Sequence, residues 1–257
     1  MTQRHCATIL AALILFLPLS GASEQAEDTG GEERAESIHD VVRRGALAEV
    51  QAMVDAGEDV NAREPGGHTP LHWAAFNGSM EIANLLIASG AEIDAAIDLG
   101  WTPLTMAAMQ GQRDMVNVLL DNGANIESRC TRRSTVLHSA AQNGHSDIIR
   151  ILVDRGAQLE TRNDRGLTPL QEAAMKGHRD AVKILATMGA DVTSRLLQGG
   201  TALHLAAAEG YLDVVRVLVE KGADIAAIDN AGRTAADLAR AEDHKKIVSY
   251  LESKAKE

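Results

Sequence analysis

Apolar positions recur along most of the chain in two alternating short runs. In a typical stretch, Leu71, Ala74 and Ala75 lie on one face of a helix, and Ile82, Leu85 and Leu86 follow at i, i+3 and i+4. The spacing predicts a first helix from Pro70, opened by Thr69, whose side-chain oxygen can cap free N–H groups, and closed by Gly78. A second helix is predicted from about Ser79 to Ala88, with Glu81 at the positive end of its dipole and Gly90 as its stop. Small residues on the first helix let a neighbouring helix approach closely. Glu92 to Gly100 then reads as an extended, turn-rich connection.

The same unit returns at a fixed step. Its threonine recurs at Thr102, Thr135, Thr168, Thr201 and Thr234, each 33 residues after the last. Gly45, Gly78, Gly111, Gly144, Gly177 and Gly210 keep that step, as do Gly57, Gly90, Gly123, Gly156, Gly189 and Gly222. Three markers in phase predict a solenoid, in which each unit buries its apolar face on its neighbours, so a chain of this length needs no single globular core.

HTPLHWAA at His68–Ala75 and TALHLAAAEG at Thr201–Gly210 resemble the ankyrin repeat family from Ser37 to about Leu251. The resemblance implies an all-α solenoid of about seven repeats, each a helix–turn–helix with a projecting β-turn finger, including degenerate N- and C-terminal caps. Five fuller repeats cover 64–96, 97–129, 130–162, 163–195 and 196–228. Before them, Ile38, His39, Val41 and Val42 stand 33 residues ahead of Leu71, His72, Ala74 and Ala75 without the threonine and proline, and Arg43, Arg44, Glu49 and Gln51 can make the outer face of this end repeat polar. After them, Asp229–Glu257 closes the stack with Asp237, Arg240, Glu242, Lys245 and Lys246. The departures are Arg133 for the finger glycine, Gln171 and Asp237 for the signature histidine, and Asp243 for the inter-helix glycine.

Residues 1–22 read differently. Arg4 and His5 precede an apolar run from Cys6 to Leu19, and Ser20-Gly21-Ala22 supplies small residues for cleavage, the form of a secretory signal peptide. The run is short of the ~20 residues a membrane span needs. The expectation is export, to a periplasm or the medium, with an uncleaved anchor as the alternative. Residues 23–36 carry six acids against Arg34 and are expected to be a disordered acidic spacer, leaving 37–257 as the repeat domain. The formal charge is -11. It becomes -12 without Arg4, the spacer accounting for -5 and the repeats for -7, which argues against nonspecific binding to nucleic acid or to anionic membranes.

Nine histidines raise the question of a metal. His39, His72, His138 and His204 hold one repeat position and are therefore separated by at least one helix spacing of about 8–10 Å, too far to share an ion with bonds of about 2 Å. They read as ties between finger and helix, and His145 and His178, at the starts of second helices, as equally structural. No nucleophile elbow, zinc-protease motif, phosphate loop or CxxC is present, so no catalytic residue, metal or cofactor is expected. Once a leader is removed Cys130 is the remaining cysteine, which excludes an internal disulfide and allows an intermolecular one.

By the family resemblance, partners dock on finger tips and on the concave face of the first helices. The matching positions include Phe76, Leu99, Trp101, Met109, Arg129, Arg132, Arg133, Arg162, Arg165, Lys176 and Arg195. An acidic chain thus gathers cations along one side, next to Trp101, Phe76 and Met109, and tryptophan and arginine often carry binding energy. The expected function is a monomeric, non-catalytic scaffold gripping a protein partner of acidic character. The competing readings are a chaperone-like stabiliser of another exported protein, a secreted host-directed effector and an exported enzyme. At the level of single residues, Trp101 instead covers its neighbouring finger, and the arginines pair with Asp98, Asp164 or Glu160.

Overall fold

Each 33-residue unit folds as two short antiparallel helices, and fourteen helices, in seven pairs, occupy residues 36–256, which the computed structural model describes. The expected leader and the spacer as far as Ala35 lie outside the described residues. Glu36 belongs to the folded unit and pairs with Arg44 at 2.8 Å.

The first helices are α1 (Ile38–Arg43), α3 (Pro70–Asn77), α5 (Pro103–Gln110), α7 (Val136–Gln142), α9 (Pro169–Met175), α11 (Ala202–Ala208) and α13 (Ala235–Ala241). The second helices are α2 (Leu47–Asp55), α4 (Met80–Ala88), α6 (Arg113–Asp121), α8 (Ser146–Asp154), α10 (Arg179–Thr187), α12 (Leu212–Glu220) and α14 (Lys245–Lys254). First helices pack on first helices and second on second, forming two layers. Leu71, Leu104, Leu137, Leu170 and Leu203 are buried in one layer, and Leu86, Leu119, Leu152, Leu185 and Leu218 in the other. Ala74–Ala75 and their equivalents through Ala206–Ala207 are fully buried, so the first-helix layer closes through methyl groups, and one apolar core runs from Ile38 to Leu251.

The signature histidines are the ties expected of them. Nδ1 of His72 accepts the Thr69 backbone N–H at 3.1 Å and Nε2 donates to the Trp101 carbonyl at 3.2 Å. His138 does the same with Thr135 and Leu167, and His204 with Thr201 and Arg233. A ring that accepts at one nitrogen and donates at the other is neutral, and burial lowers the pKa of His72 and His138 to about 4. The two replacements follow this logic. Gln171 accepts from Thr168 N at 3.0 Å and donates at 2.8 Å to the Ser194 carbonyl, an earlier residue of the next finger than His72, His138 and His204 reach and the one matching the Ala62 carbonyl that His39 contacts at 2.9 Å. Asp237 accepts from Thr234 but has no N–H to pass onward.

Second helices are anchored backward across one repeat. His145, His178 and His244 donate Nε2–H to the carbonyls of Met109, Gln142 and Ala208, and Gln112 donates to that of Phe76. Among the described residues, the two non-glycine residues with left-handed backbone are Arg133, with φ 57°, and Asp243, with φ 60°, the same two that replace a repeat glycine. The register of the repeat therefore holds even where its sequence does not.

The fingers form a ladder along one edge. Asp98 N donates to Gly66 O at 3.1 Å, Thr131 N to Leu99 O at 2.9 Å, Asp164 N to Arg132 O at 3.0 Å and Asn230 N to Gln198 O at 2.9 Å. The corresponding bond from Leu197 to Arg165 is not made.

Candidate functional site

Finger side chains bond to first-helix side chains at Glu64–Trp73 and Asn163–Glu172, and the strip, or trough, between fingers and first helices is where the expected partner-binding residues fall. Arg129, Arg132 and Arg133 are exposed, and their side chains form no hydrogen bond or ion pair with other described residues. None of the finger arginines pairs with Asp98, Asp164 or Glu160; the Glu160 carboxylate instead accepts the Asp191 backbone N–H at 2.9 Å. Arg162 and Arg195 brace the ladder. Arg162 donates to Gly166 O at 2.7 Å and to Ser194 Oγ at 2.8 Å, and Arg195 to Gly199 O at 3.0 Å and Ile228 O at 2.8 Å. Arg165 reaches inward to Glu172 (3.8 Å) and to the Met175 sulfur (3.2 Å), and Lys176 is half-buried at the end of α9.

The apolar members lie further along the same trough. Trp101, Met109 and Phe76 are half-buried, and Leu99 is exposed at a finger tip. The Trp101 carbonyl anchors its own finger through Ile97 N and His72, while its ring enters no aromatic stack among the described residues. Cys130 is a free, half-buried thiol. No group of three metal-ligating side chains comes together among the described residues, and no helix there is long and apolar enough to cross a membrane.

Two polar networks in the trough were not singled out by sequence. The first is at the N-terminal end. Trp73 donates its indole N–H to Glu64 Oε2 at 2.7 Å, stacks on His68 with ring centroids 5.0 Å apart, and meets the edge of Phe76 at 6.1 Å. The Arg43 guanidinium lies 4.3 Å above the Trp73 ring and ion-pairs with Glu64 and with Asp40, so Arg43 turns inward rather than serving only a polar outer face. Both Glu64 oxygens are thereby used.

The second network is at α9. Asn163 Oδ1 accepts the N–H groups of Arg165 and Leu167, fixing the finger turn, and its Nδ2 donates to Glu172 Oε1 at 2.8 Å. Glu172 is buried, its side chain 6% exposed. Its Oε2 is, among the described residues, the one buried side-chain polar atom with no hydrogen-bond partner. Burial pushes its pKa up, against the opposing influence of the Arg165 charge and the Asn163 hydrogen bond. Aligning the repeats would have marked it: where this chain has Glu172, the other repeats place Asp40, Trp73, Met106, Ser139, Leu205 and Leu238.

A family profile described as ankyrin repeats in three copies matches residues 38–130, 126–196 and 194–257. The ankyrin repeat domain of human ASB11, known from a crystal structure, superposes with a TM-score of 0.73 at 28% identity, covering 81% of this chain and 96% of that one. Among curated proteins, acyl-CoA-binding domain-containing protein 2 of Arabidopsis thaliana is 37% identical over 57 residues, 22% of this chain and 16% of that protein. Acyl-CoA-binding domain-containing protein 4 of Oryza sativa is 39% identical over 54 residues, again 16% of its length. The chain thus matches about a sixth of these relatives.

Proposed function

Because this chain belongs to the ankyrin repeat family, whose repeats generally mediate protein–protein interaction, we propose that it is an exported, non-catalytic scaffold gripping an acidic protein segment in the trough between fingers and first helices. The observation that carries the reading is the ridge of Arg129, Arg132 and Arg133. Three exposed cations stand at neighbouring finger positions of a chain with net charge -11, and no acid of the described residues neutralises them. Arg165 and Lys176 continue that charge inward. Trp101, Met109, Phe76 and Leu99 offer apolar area beside it.

Charge of this kind acts first on encounter, raising the association rate of an acidic partner, and then on specificity. The protein acts as a monomer in this reading, and the leader-like segment 1–22 carries it out of the cytoplasm. Cell fractionation with a terminal tag tests the export. The binding reading is tested by cross-linked affinity capture from the exported fraction, with wild-type protein beside Arg132→Glu, Arg165→Glu and Trp101→Ala. Partners recovered by wild type and lost by the charge reversals, with association falling steeply as salt rises, support it. Partners retained by all three variants at equal affinity overturn the site.

A further inference from the structure

We propose that Glu172 is a built acceptor within this trough, taking a neutral N–H or O–H donor from an acidic segment of the bound protein. This rests on the groove reading above and names the chemistry of one position in it. Met106, Leu205 and Leu238 fill the equivalent positions with apolar side chains, and the one other carboxyl there, Asp40, is exposed and has both oxygens partnered, by Arg43 and Ser37. Burying a carboxyl with one oxygen unpartnered opposes folding, and a group retained against that cost points to a role outside the fold.

Glu64 shows what a completed arrangement looks like. Finger position 64 and helix position 73 are bonded to each other, as are 163 and 172, with donor and acceptor exchanged. At Glu64 the second oxygen is taken by Arg43, which comes from the preceding first helix. The residue three repeats on from Arg43 is Gln142, an exposed side chain that forms no hydrogen bond among the described residues. The second donor that Glu64 receives from the preceding first helix is therefore missing at Glu172.

Access also differs here. The half-exposed Arg165 side chain lies beside Glu172, 3.8 Å from its Oε1, with a 3.2 Å contact to the Met175 sulfur. Beside it the finger ladder is broken between Arg165 and Leu197, and Leu197 stands 81% exposed. A segment lying in the trough can draw Arg165 outward onto its own carboxylates, rest apolar area on Leu197 and present a donor to Oε2. Arg165 and Lys176 already flank the carboxyl, so a further cation is repelled, whereas an indole, hydroxyl or amide donor is not.

A random peptide library panned on the full chain, followed by calorimetric Kd measurements on the synthetic binders, tests the proposal. The expected binders are acidic and carry one indole, hydroxyl or amide whose replacement by an apolar residue weakens binding to wild type about tenfold, or about 1.4 kcal/mol, and to Glu172→Leu less than twofold. Glu172→Gln, which places an amide N–H where Oε2 stood, is expected to lose the same tenfold while melting no lower than wild type. Binders that show no such coupling, binders that present lysine or arginine to Glu172, or a library that yields none overturn the proposal. If Arg132→Glu abolishes binding while the Glu172 variants do not, the arginine ridge stands and the acceptor falls. Binders indifferent to both overturn both.

Discussion

Glu64 and Glu172 are joined across equivalent finger and helix positions, yet one is finished and the other is not. Around Glu64, Trp73 and Arg43 satisfy both oxygens while His68 stacks on the Trp73 ring, so the network closes on itself and holds the N-terminal repeats to each other. Around Glu172, Asn163 uses one oxygen, Arg165 approaches no nearer than 3.8 Å, and the second oxygen is left without a partner. The same scaffold positions can therefore serve cohesion in one repeat and leave chemistry available in another. Beyond the exchange of donor and acceptor within each pair, the preceding helix differs, with Arg43 against Gln142.

Acid should produce the largest effect, and it strikes what both regions share. Folded His72 and His138 have pKa values of about 4, whereas the unfolded chain protonates near 6.5. Stability is thus full above pH 6.5 and is lost as pH falls toward 4, on the order of 3 kcal/mol for each histidine. Urea midpoints across this range should fall accordingly. His138→Gln should recover the share of the loss that belongs to His138, because Gln171 already ties its helix to the next finger without titrating. A flat midpoint would break the account.

Trp73→Ala breaks the closed network and should cost about 3 kcal/mol. The added hydrogen exchange should concentrate in α1 and α3. Glu172→Gln acts on the open one in the opposite sense. Its folded pKa is raised, so ionisation disfavours folding as pH rises from 4.5 through that value. The variant should be more stable than wild type by about 1 kcal/mol at pH 7 and lose that advantage below pH 4.5. A variant less stable than wild type at pH 7 would show that the carboxylate is satisfied after all. The smallest effect belongs to the ridge. Arg133→Gly relieves a left-handed arginine and should gain up to about 1 kcal/mol in thermal unfolding while slowing association with an acidic partner.

Most of the architecture was legible because repetition makes each residue testify several times. Thr69 and His72 predict their own hydrogen bonds, and the substitutions Arg133 and Asp243 stand in positive φ at the positions the glycine period assigns. The trough was legible as a place, but its energetics were not. Glu172 reads as one more acid in a helical stretch, since its burial depends on the Asn163 turn folding the finger down nine residues earlier. Trp73 hid inside the family signature, and its indole acquires meaning only from Arg43 and Glu64, in a neighbouring helix and finger. Likewise Leu197 stands in the chain as an ordinary apolar residue. Its equivalents Pro65, Asp98, Thr131, Asp164 and Asn230 mark a turn, where a leucine finds nothing to bury against.

The missing rung between Arg165 and Leu197 has a mechanical meaning. A row of fingers tied by backbone bonds resists extension along its length, and tension concentrates at the joint with one tie fewer. Stretched between its ends, the domain is expected to yield first there, parting the repeats before Leu196 from those after it. A partner bound across that joint would act as a splint, and single-molecule pulling would register its presence as a rise in the first rupture force.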